Sequence, residues 1–214
     1  MIKDCLVVLD FGSQYAHLIA KRLRHLGFYT EIHSPATPVS MLTRARGLIL
    51  SGGPASVNLL EAPVFNEKLL DLDVPILGLC YGHQLIAMHY GGVISNTGQG
   101  EFGKAFLHQI SGSPLWEGLS FPVQVWMSHQ DSVIEIPHDF RVIGCTESGT
   151  VTALQHQKRP LFSLQFHPEV RDTQNGLRLL ENFAGLTGLR AEWDMKSFIR
   201  ESQEAICGQV GNKR

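Results

Sequence analysis

One cysteine stands between a buried strand and a helix, and this arrangement constrains the fold most. Ile76 to Leu79 is an apolar run typical of a buried strand, and Gln84 to Met88 favours a helix. Cys80 lies at the turn between them, flanked by Gly78 and Gly82. This is the arrangement of the G-x-S-x-G nucleophile elbow, with Cys in place of Ser. The turn would present Cys80 at a helix N-terminus, where the helix dipole favours the thiolate. Considered alone, such a cysteine is more often a buried, inert thiol than a nucleophile.

A second stretch supplies partners for a nucleophile. The apolar run from Leu161 to Phe166 predicts a strand, and His167-Pro168-Glu169 follows it. Residues i and i+2 of an extended segment point to the same side, so His167 and Glu169 can approach each other. A nucleophilic cysteine needs a base, and the base needs an acceptor that orients it. The two stretches together predict a triad, whereas His167 alone would be an ordinary surface histidine.

These two motifs carry a family resemblance. G-x-C-x-G-x-Q around Cys80 and Q-F-H-P-E around His167 resemble the motifs of the class I, triad-type glutamine amidotransferases. The resemblance implies an enzyme that releases ammonia from L-glutamine and delivers it to a synthetase site. It also implies that Cys80 forms the thioester, that His167 is the base and that Glu169 orients it.

Composition sets outer limits on the function. The chain has 214 residues, 43% hydrophobic residues and a formal net charge of −2, which suits one compact domain. No charge run predicts a nucleic-acid partner, and no apolar stretch approaches the ~20 residues of a membrane span. The four cysteines are scattered without a C-x-x-C pair, so the sequence predicts no metal site. The opening residues do not resemble a signal peptide, and we expect a cytoplasmic protein.

Strands and helices alternate in the first half of the chain. Strands are predicted at 5–10, 28–33, 47–50 and 76–79, and helices at 14–26, capped by Ser13, and at 63–71. Shorter strands follow at 104–110, 123–127, 141–146, 152–156 and 161–166, with a helix at 174–183. We therefore expect an α/β fold: a three-layer, open, mostly parallel sheet flanked by helices, with an antiparallel β extension. The resemblance implies the flavodoxin-like fold of the class I amidotransferases.

An oxyanion hole would complete the site. In a nucleophile elbow one donor is the N–H of the residue after the nucleophile, here Tyr81. The glycine-rich loop Ser51-Gly52-Gly53-Pro54 follows a predicted strand and could supply the second donor. The resemblance assigns that donor to Gly53. A simple tight turn is the alternative for this loop.

The resemblance also implies residues that hold glutamine. They are Gln84, on the elbow helix, and Ser128, Gln130 and Asp131, mostly through backbone contacts. Gln130 stands where the family usually has glycine, so a side chain borders the predicted pocket. His129 competes with His167 for the role of base, but it lacks an equivalent acceptor two residues on; Asp131 comes closest.

Four stretches narrow the resemblance to the amidotransferase domains of the GMP synthase family. They are 8–15, 49–57, the W-M-S-H-x-D stretch at 126–131, and the tail around Trp193 to Ile199. This resemblance implies that the ammonia aminates xanthosine monophosphate to GMP in purine nucleotide synthesis.

The same resemblance implies a division of the chain and a partner. Residues 1–190 would form the amidotransferase domain, and residues 191–214 a helical linker towards an ATP-pyrophosphatase, or synthetase, domain. The sequence contains no S-G-G-x-D-S loop, so ATP and Mg²⁺ are expected only in that partner domain and no cofactor in this chain. The polar, basic ending favours an excised domain over a separate subunit. The full enzyme is expected to be a homodimer.

Three alternatives remain open from the sequence. The chain could serve another synthetase that makes anthranilate, aminodeoxychorismate or carbamoyl phosphate. It could be a non-catalytic relative, or a hydrolase of γ-glutamyl compounds. Binding of a synthetase domain, glutaminase activity, and turnover of glutamine against γ-glutamyl peptides would separate these possibilities.

Overall fold

The computed structural model describes residues 3–53 and 63–210. Within these ranges the strands are β1 (Cys5–Leu9), β2 (Thr30–His33), β3 (Ala45–Leu50), β4 (Ile76–Leu79), β5 (Val93–Gln109), β6 (Val123–Glu135), β7 (Phe140–Thr146), β8 (Val151–His156) and β9 (Leu161–Leu164). The helices are α1 (Tyr15–His25), α2 (Tyr81–His89), α3 (Gly176–Gly185) and α4 (Met195–Val210). Short 3-10 helices lie at Val39–Met41, Glu67–Asp71 and Pro114–Trp116.

The described strands form one mixed sheet in the order β2-β1-β3-β4-β9-β8-β7-β5-β6. Neighbours from β2 to β9 are parallel, and neighbours from β9 to β6 are antiparallel. The predicted α/β fold with an antiparallel extension is therefore confirmed. Because β3, β4 and β9 are parallel neighbours, the loops that follow them meet at one edge of the sheet.

Helices cover both faces of the parallel strands. Leu6 and Val8 of β1 belong to a core that includes the apolar residues of α1 and α3. Val7 and Leu9 point the other way, into a core that includes the apolar residues of α2. This alternation explains why β1 is apolar at every position, since both of its faces are buried.

Several predicted elements have different extents, and β6, predicted at 123–127, continues to Glu135. The helix predicted at 63–71 is only the 3-10 helix Glu67–Asp71, because Asn66 is extended and tied to a neighbouring loop. The Asn66 N–H donates to Pro35 O and its side-chain amide donates to Thr37 O, both at 3.0 Å. β5 begins at Val93 rather than at residue 104, and a register shift after Asn96 interrupts its pairing with β6.

The bounds of three other elements differ from the predicted ones by a few residues. Ser13 Oγ accepts a hydrogen bond from Tyr15 N–H at 3.3 Å, although the N-cap position itself is Gln14. β2 begins after Phe28, because the Phe28 N–H is bonded back to Leu23 O at the end of α1. β9 ends at Leu164, two residues before the predicted end.

The segment after α3 contacts the connection between α1 and β2. Trp193 N–H donates to Gly27 O at 2.7 Å, and the Phe198 ring lies 6.1 Å from the Tyr29 ring. A domain boundary at residue 190 stays a prediction. The predicted loop residues 54–57 and the ending 211–214 lie outside the described residues. Among the described helices, none has the length and apolar character needed to cross a membrane.

Candidate active site

Cys80 lies in a strained turn between β4 and α2. Its φ of 51° and ψ of −100° fall in a region that side-chain-bearing residues rarely adopt. The Cys80 N–H donates to Leu164 O of β9 at 2.8 Å, which fixes the turn against the neighbouring strand. A conformation of this kind costs about 1–3 kcal/mol and persists only where the surroundings enforce it. The structure thus has the strand–turn–helix geometry that the sequence predicted.

The two flanking glycines allow this turn to pack. A Cβ at Gly78 would lie 2.5 Å from Gly82 O, and a Cβ at Gly82 would lie 2.5 Å from Leu50 O of β3. Real Cβ atoms do not approach backbone oxygen so closely. The Gly82 N–H also donates to Ser51 O at 3.3 Å, which ties the elbow to the loop after β3.

His167 and Glu169 lie together as predicted, and the structure shows that both are buried. His167 Nδ1 lies 2.8 Å from Glu169 Oε1, and each residue is 1% exposed. The link between them is a turn at Pro168 and Glu169 rather than the extended segment that the sequence suggested. The two side chains meet because the chain bends after β9, not because they alternate along a strand.

The hydrogen bonds define the state of the His167 ring. A carboxylate only accepts, so Nδ1 carries a proton and Nε2 is left to face Cys80. Burial disfavours the imidazolium, but hydrogen bonds to Cys80 and Glu169 and the charges of both raise the pKa of His167 well above its usual range. The ring is therefore placed to hold a proton between the sulfur and the carboxylate.

Three neighbours fix the position of His167. Its backbone N–H donates to Trp126 O at 3.2 Å, and its backbone carbonyl accepts from Thr173 Oγ1 at 2.6 Å. The Tyr15 ring lies 4.5 Å from the imidazole, centre to centre. Sequence reasoning did not select Tyr15, because it lies on α1, far from His167 along the chain.

The glycine-rich loop after β3 lies directly against the reactive groups. A Cβ at Gly52 would lie 3.2 Å from His167 Cε1 and 3.7 Å from Cys80 Cβ. A Cβ at Gly53 would lie 3.3 Å from Tyr81 Cγ. A side chain at either glycine would be tightly crowded, so the backbone of this loop lies close to Cys80, His167 and Tyr81.

The predicted glutamine-binding residues occupy different environments. Ser128 is close to the nucleophile, since its carbonyl oxygen lies 3.7 Å from Cys80 Sγ. Gln130 is exposed and Asp131 is buried. Gln84 is buried, and its Nε2 donates to Asp131 O at 2.8 Å and to another side chain, Gln165 Oε1, at 3.2 Å. Both amide hydrogens of Gln84 are thereby used within the protein.

His129 is hydrogen-bonded to groups other than Cys80, and it shares the acceptor Asp131 O with Gln84. Its Nδ1 lies 3.0 Å from Asp131 O and its Nε2 lies 3.3 Å from Glu101 Oε2. Glu101 Oε1 accepts from Thr146 and Ser148 hydroxyls at 3.0 and 2.7 Å. Asp131, the closest candidate acceptor from the sequence, contacts His129 through its backbone oxygen, and sequence reasoning did not select Glu101, which faces His129 across the β5–β6 pairing. Burial lowers the pKa of His129, although Asp131 O and Glu101 oppose the shift.

Gln165 is a further residue at the site that sequence reasoning did not select. It is fully buried, and its Nε2 donates to Cys80 Sγ at 3.8 Å. It stands two residues before His167, so strand alternation would have put both side chains on one side.

In the described part of the chain, no group of three or more His, Cys, Asp or Glu side chains is placed to hold a metal ion.

The fold and the site together define an α/β protein with a cysteine at a nucleophile elbow beside a buried histidine–carboxylate pair. The sequence profile "Glutamine amidotransferase class-I" matches residues 7–185. The chain therefore belongs to the class-I glutamine amidotransferase family.

Similar proteins agree with this assignment. A "GMP synthase [glutamine-hydrolyzing]" from Symbiobacterium thermophilum is 44% identical over 216 residues, and one from Nitratiruptor is 42% identical over 216 residues. A candidate GMP synthase subunit from Thermoplasma acidophilum has a crystal structure that matches with a TM-score of 0.77 and 31% identity. That match covers 95% of this chain and 99% of the other.

A further structure shares the fold alone. It is a glutamine amidotransferase from Thermotoga maritima, with a TM-score of 0.61, 17% identity and 86% of this chain covered. The two curated relatives are longer proteins: the match includes 99% and 98% of this chain but 42% of each of them.

Proposed function

We propose that this chain hydrolyses L-glutamine to glutamate and ammonia through a thioester on Cys80. The observation that carries the proposal is the strained-turn cysteine beside a buried histidine–carboxylate pair, with 2.8 Å between His167 Nδ1 and Glu169 Oε1. Membership of the class-I glutamine amidotransferases supports glutamine as the substrate.

In the first half of the reaction, Cys80 Sγ attacks the γ-carboxamide carbon of glutamine. His167 Nε2 takes the thiol proton and returns it to the amide nitrogen, which leaves as ammonia. The product is a γ-glutamyl thioester on Cys80. In the second half, water attacks the thioester, His167 accepts its proton, and glutamate and the free thiol are released. Glu169 keeps the Nδ1 proton in place and stabilises the imidazolium.

The carbonyl oxygen of the substrate becomes negatively charged during both attacks. We assign its stabilisation to the backbone N–H groups of Gly53 and Tyr81, which the close approach of these two residues supports. Losing one such donor typically costs about 10²–10³ in kcat. Neither donor depends on a side chain, so substitutions would act here through backbone position.

The α-amino and α-carboxylate groups of the substrate glutamine would be held on the other side of Cys80. Ser128 and Asp131 are assigned mainly through their backbone, Gln84 through its side-chain oxygen, and Gln130 through contact at the rim of the pocket.

None of the proposed steps needs a metal or an organic cofactor in this chain. We also propose a cytoplasmic location.

The ammonia would aminate xanthosine monophosphate to GMP. The names of the curated relatives support this choice, and these relatives extend well beyond the part that this chain matches. ATP and Mg²⁺ would bind to a synthetase domain that corresponds to the unmatched part of those relatives. We further propose that the complete enzyme is a homodimer.

Ammonia formed without an acceptor is wasted, so we expect the chain alone to hydrolyse glutamine slowly. The donors at Gly53 and Tyr81 are peptide groups, and a peptide rotation of about 1–3 kcal/mol could switch them in or out. That corresponds to roughly 5- to 150-fold in turnover. A synthetase partner loaded with ATP and xanthosine monophosphate would supply the activating contact.

The experiment measures ammonia release from L-glutamine by the 214-residue chain, alone and with the synthetase portion of the Symbiobacterium relative. Slow release by the chain alone, and a rise in kcat with partner, ATP and xanthosine monophosphate, is the expected result. Preferred turnover of γ-glutamyl peptides would contradict the substrate. Activation by an anthranilate or carbamoyl phosphate synthetase instead would contradict the product.

A further inference from the structure

Two buried side-chain amides, those of Gln165 and Gln84, connect Cys80 by hydrogen bonds to Asp131 O. Asp131 O accepts a hydrogen bond from Gln84 Nε2, Gln84 Nε2 also donates to Gln165 Oε1, and Gln165 Nε2 donates to Cys80 Sγ. Gln165 is 0% exposed and Gln84 is 5% exposed. The mechanism described above does not use Gln165.

The direction of each hydrogen bond is determined. Asp131 O is a carbonyl oxygen and can only accept, so the amide nitrogen of Gln84 must face it. The second hydrogen on the same nitrogen points to Gln165, so the Gln165 oxygen must face Gln84. The nitrogen of Gln165 is then left facing the sulfur. The amide of Gln165 therefore has one orientation, and Gln84 enforces it.

The sulfur lies between an acceptor and this donor. The neutral thiol has one proton, for which Ser128 O, at 3.7 Å from Cys80 Sγ, is an acceptor besides His167. After ionisation no proton remains to share, and Ser128 O repels the thiolate. Gln165 Nε2, at 3.8 Å, offers a hydrogen that bonds more strongly to a negative sulfur than to a neutral one.

We propose that Gln165 is a positioning residue that stabilises the Cys80 thiolate and draws the sulfur away from Ser128, with Gln84 holding its amide in the required orientation. The proposal rests on the proposed function, in which Cys80 is the nucleophile. Gln84 then has two roles, because its nitrogen orients Gln165 while its oxygen is assigned to glutamine.

The test measures how fast iodoacetamide alkylates Cys80 as a function of pH, without glutamine. The background carries Cys145→Ser and Cys207→Ser, and Cys5 is buried. The test variant is Gln165→Met, because methionine is similar in volume and cannot donate. Among the described residues His167, with Glu169 behind it, is the titratable pair that faces the sulfur, and both are kept in every protein.

The pH of half-maximal alkylation should rise by about one unit in Gln165→Met, the scale of one hydrogen bond to a charged group. Gln165→Glu, which preserves shape, should raise it further by placing a carboxylate beside the thiolate. This second variant decides the question if Gln165→Met does not fold. Gln157→Met removes a distant glutamine that bonds to backbone carbonyls, and its midpoint should equal that of the parent.

An unchanged midpoint in the folded Gln165 variants would overturn the proposal, even if their glutaminase activity fell. The assay reports on the sulfur itself and does not require turnover. Failure of the proposed function is therefore separate: it would appear as a parent chain that alkylates normally at Cys80 but releases no ammonia from glutamine.

Discussion

Replacing Glu169 by Gln tests what the carboxylate contributes beyond holding the His167 ring. Glu169 Oε1 accepts the Nδ1 proton of His167 at 2.8 Å, and both residues are almost wholly buried. A glutamine fills the same space and still offers an oxygen to Nδ1–H. The substitution therefore removes the charge while the acceptor stays, whereas Glu169→Leu removes both.

The expected magnitudes follow from the single hydrogen bond of this pair. A bond to a charged group contributes about 1.5–3 kcal/mol, and a neutral one about 0.5–1.5 kcal/mol. The difference of about 1–2 kcal/mol predicts a kcat roughly 5- to 30-fold lower for Glu169→Gln. Loss of the whole bond predicts roughly 10- to 150-fold for Glu169→Leu. Loss of the base in His167→Ala should cost more, about 10²–10⁴-fold.

Steady-state ammonia release with saturating glutamine gives kcat for the three variants, and its pH profile gives a second readout. Burial opposes the imidazolium, while hydrogen bonds to Cys80 and Glu169 keep the pKa of His167 raised. Without the carboxylate charge that pKa falls, so the limb of the profile that follows His167 should move to lower pH in Glu169→Gln. The reasoning is refuted if Glu169→Gln is as slow as Glu169→Leu and its profile does not move.

Gly82→Ala should lower the free energy of unfolding by about 1–3 kcal/mol in urea, because its Cβ would lie 2.5 Å from Leu50 O. Gly112→Ala, where a Cβ meets no atom within 4 Å, is the control, and equal effects at both positions would argue against steric crowding at the elbow. Burial lowers the pKa of His83 to about 3, and the ring is hydrogen-bonded to Ser163. The native state therefore resists protonation below pH ~6.5, and stability should fall with decreasing pH by up to about 1.4 kcal/mol per unit until pH ~3. His83→Gln should flatten this slope in urea titrations; an unchanged slope would show that other groups cause it.

The parts of the site that sequence predicted are local in the chain. Cys80 with its glycines, and His167 with Glu169, are each contained within a few residues, so spacing alone indicates the geometry. Even here the physical reason differed in part, because His167 and Glu169 meet across a turn. The loop from Ser51 to Pro54 could be selected because it follows a predicted strand, but the choice of Gly53 within it depended on the family resemblance.

The missed contacts are those between distant segments. Gln165 reaches Cys80 because β9 lies beside β4, and this neighbour relation depends on the order of strands in the sheet. Glu101 reaches His129 through the β5–β6 register, which is interrupted in a polar, glycine-containing segment without clear alternation. For Gln165, the two-residue spacing from His167 was a usable signal, but it does not specify the contact with Cys80. For Glu101, no pattern within one segment specifies the pairing with β6.

Trapping the nucleophile tests the central claim most directly. The chain is treated with an electrophilic diazoketone analogue of glutamine, and the modified cysteine is identified by peptide mass spectrometry while glutaminase activity is followed. We expect modification of Cys80 alone, in step with loss of activity and slowed by added glutamine. The Cys80→Ala chain should have no activity. Inactivation that follows modification of Cys5, Cys145 or Cys207, or an active Cys80→Ala chain, would contradict the central claim.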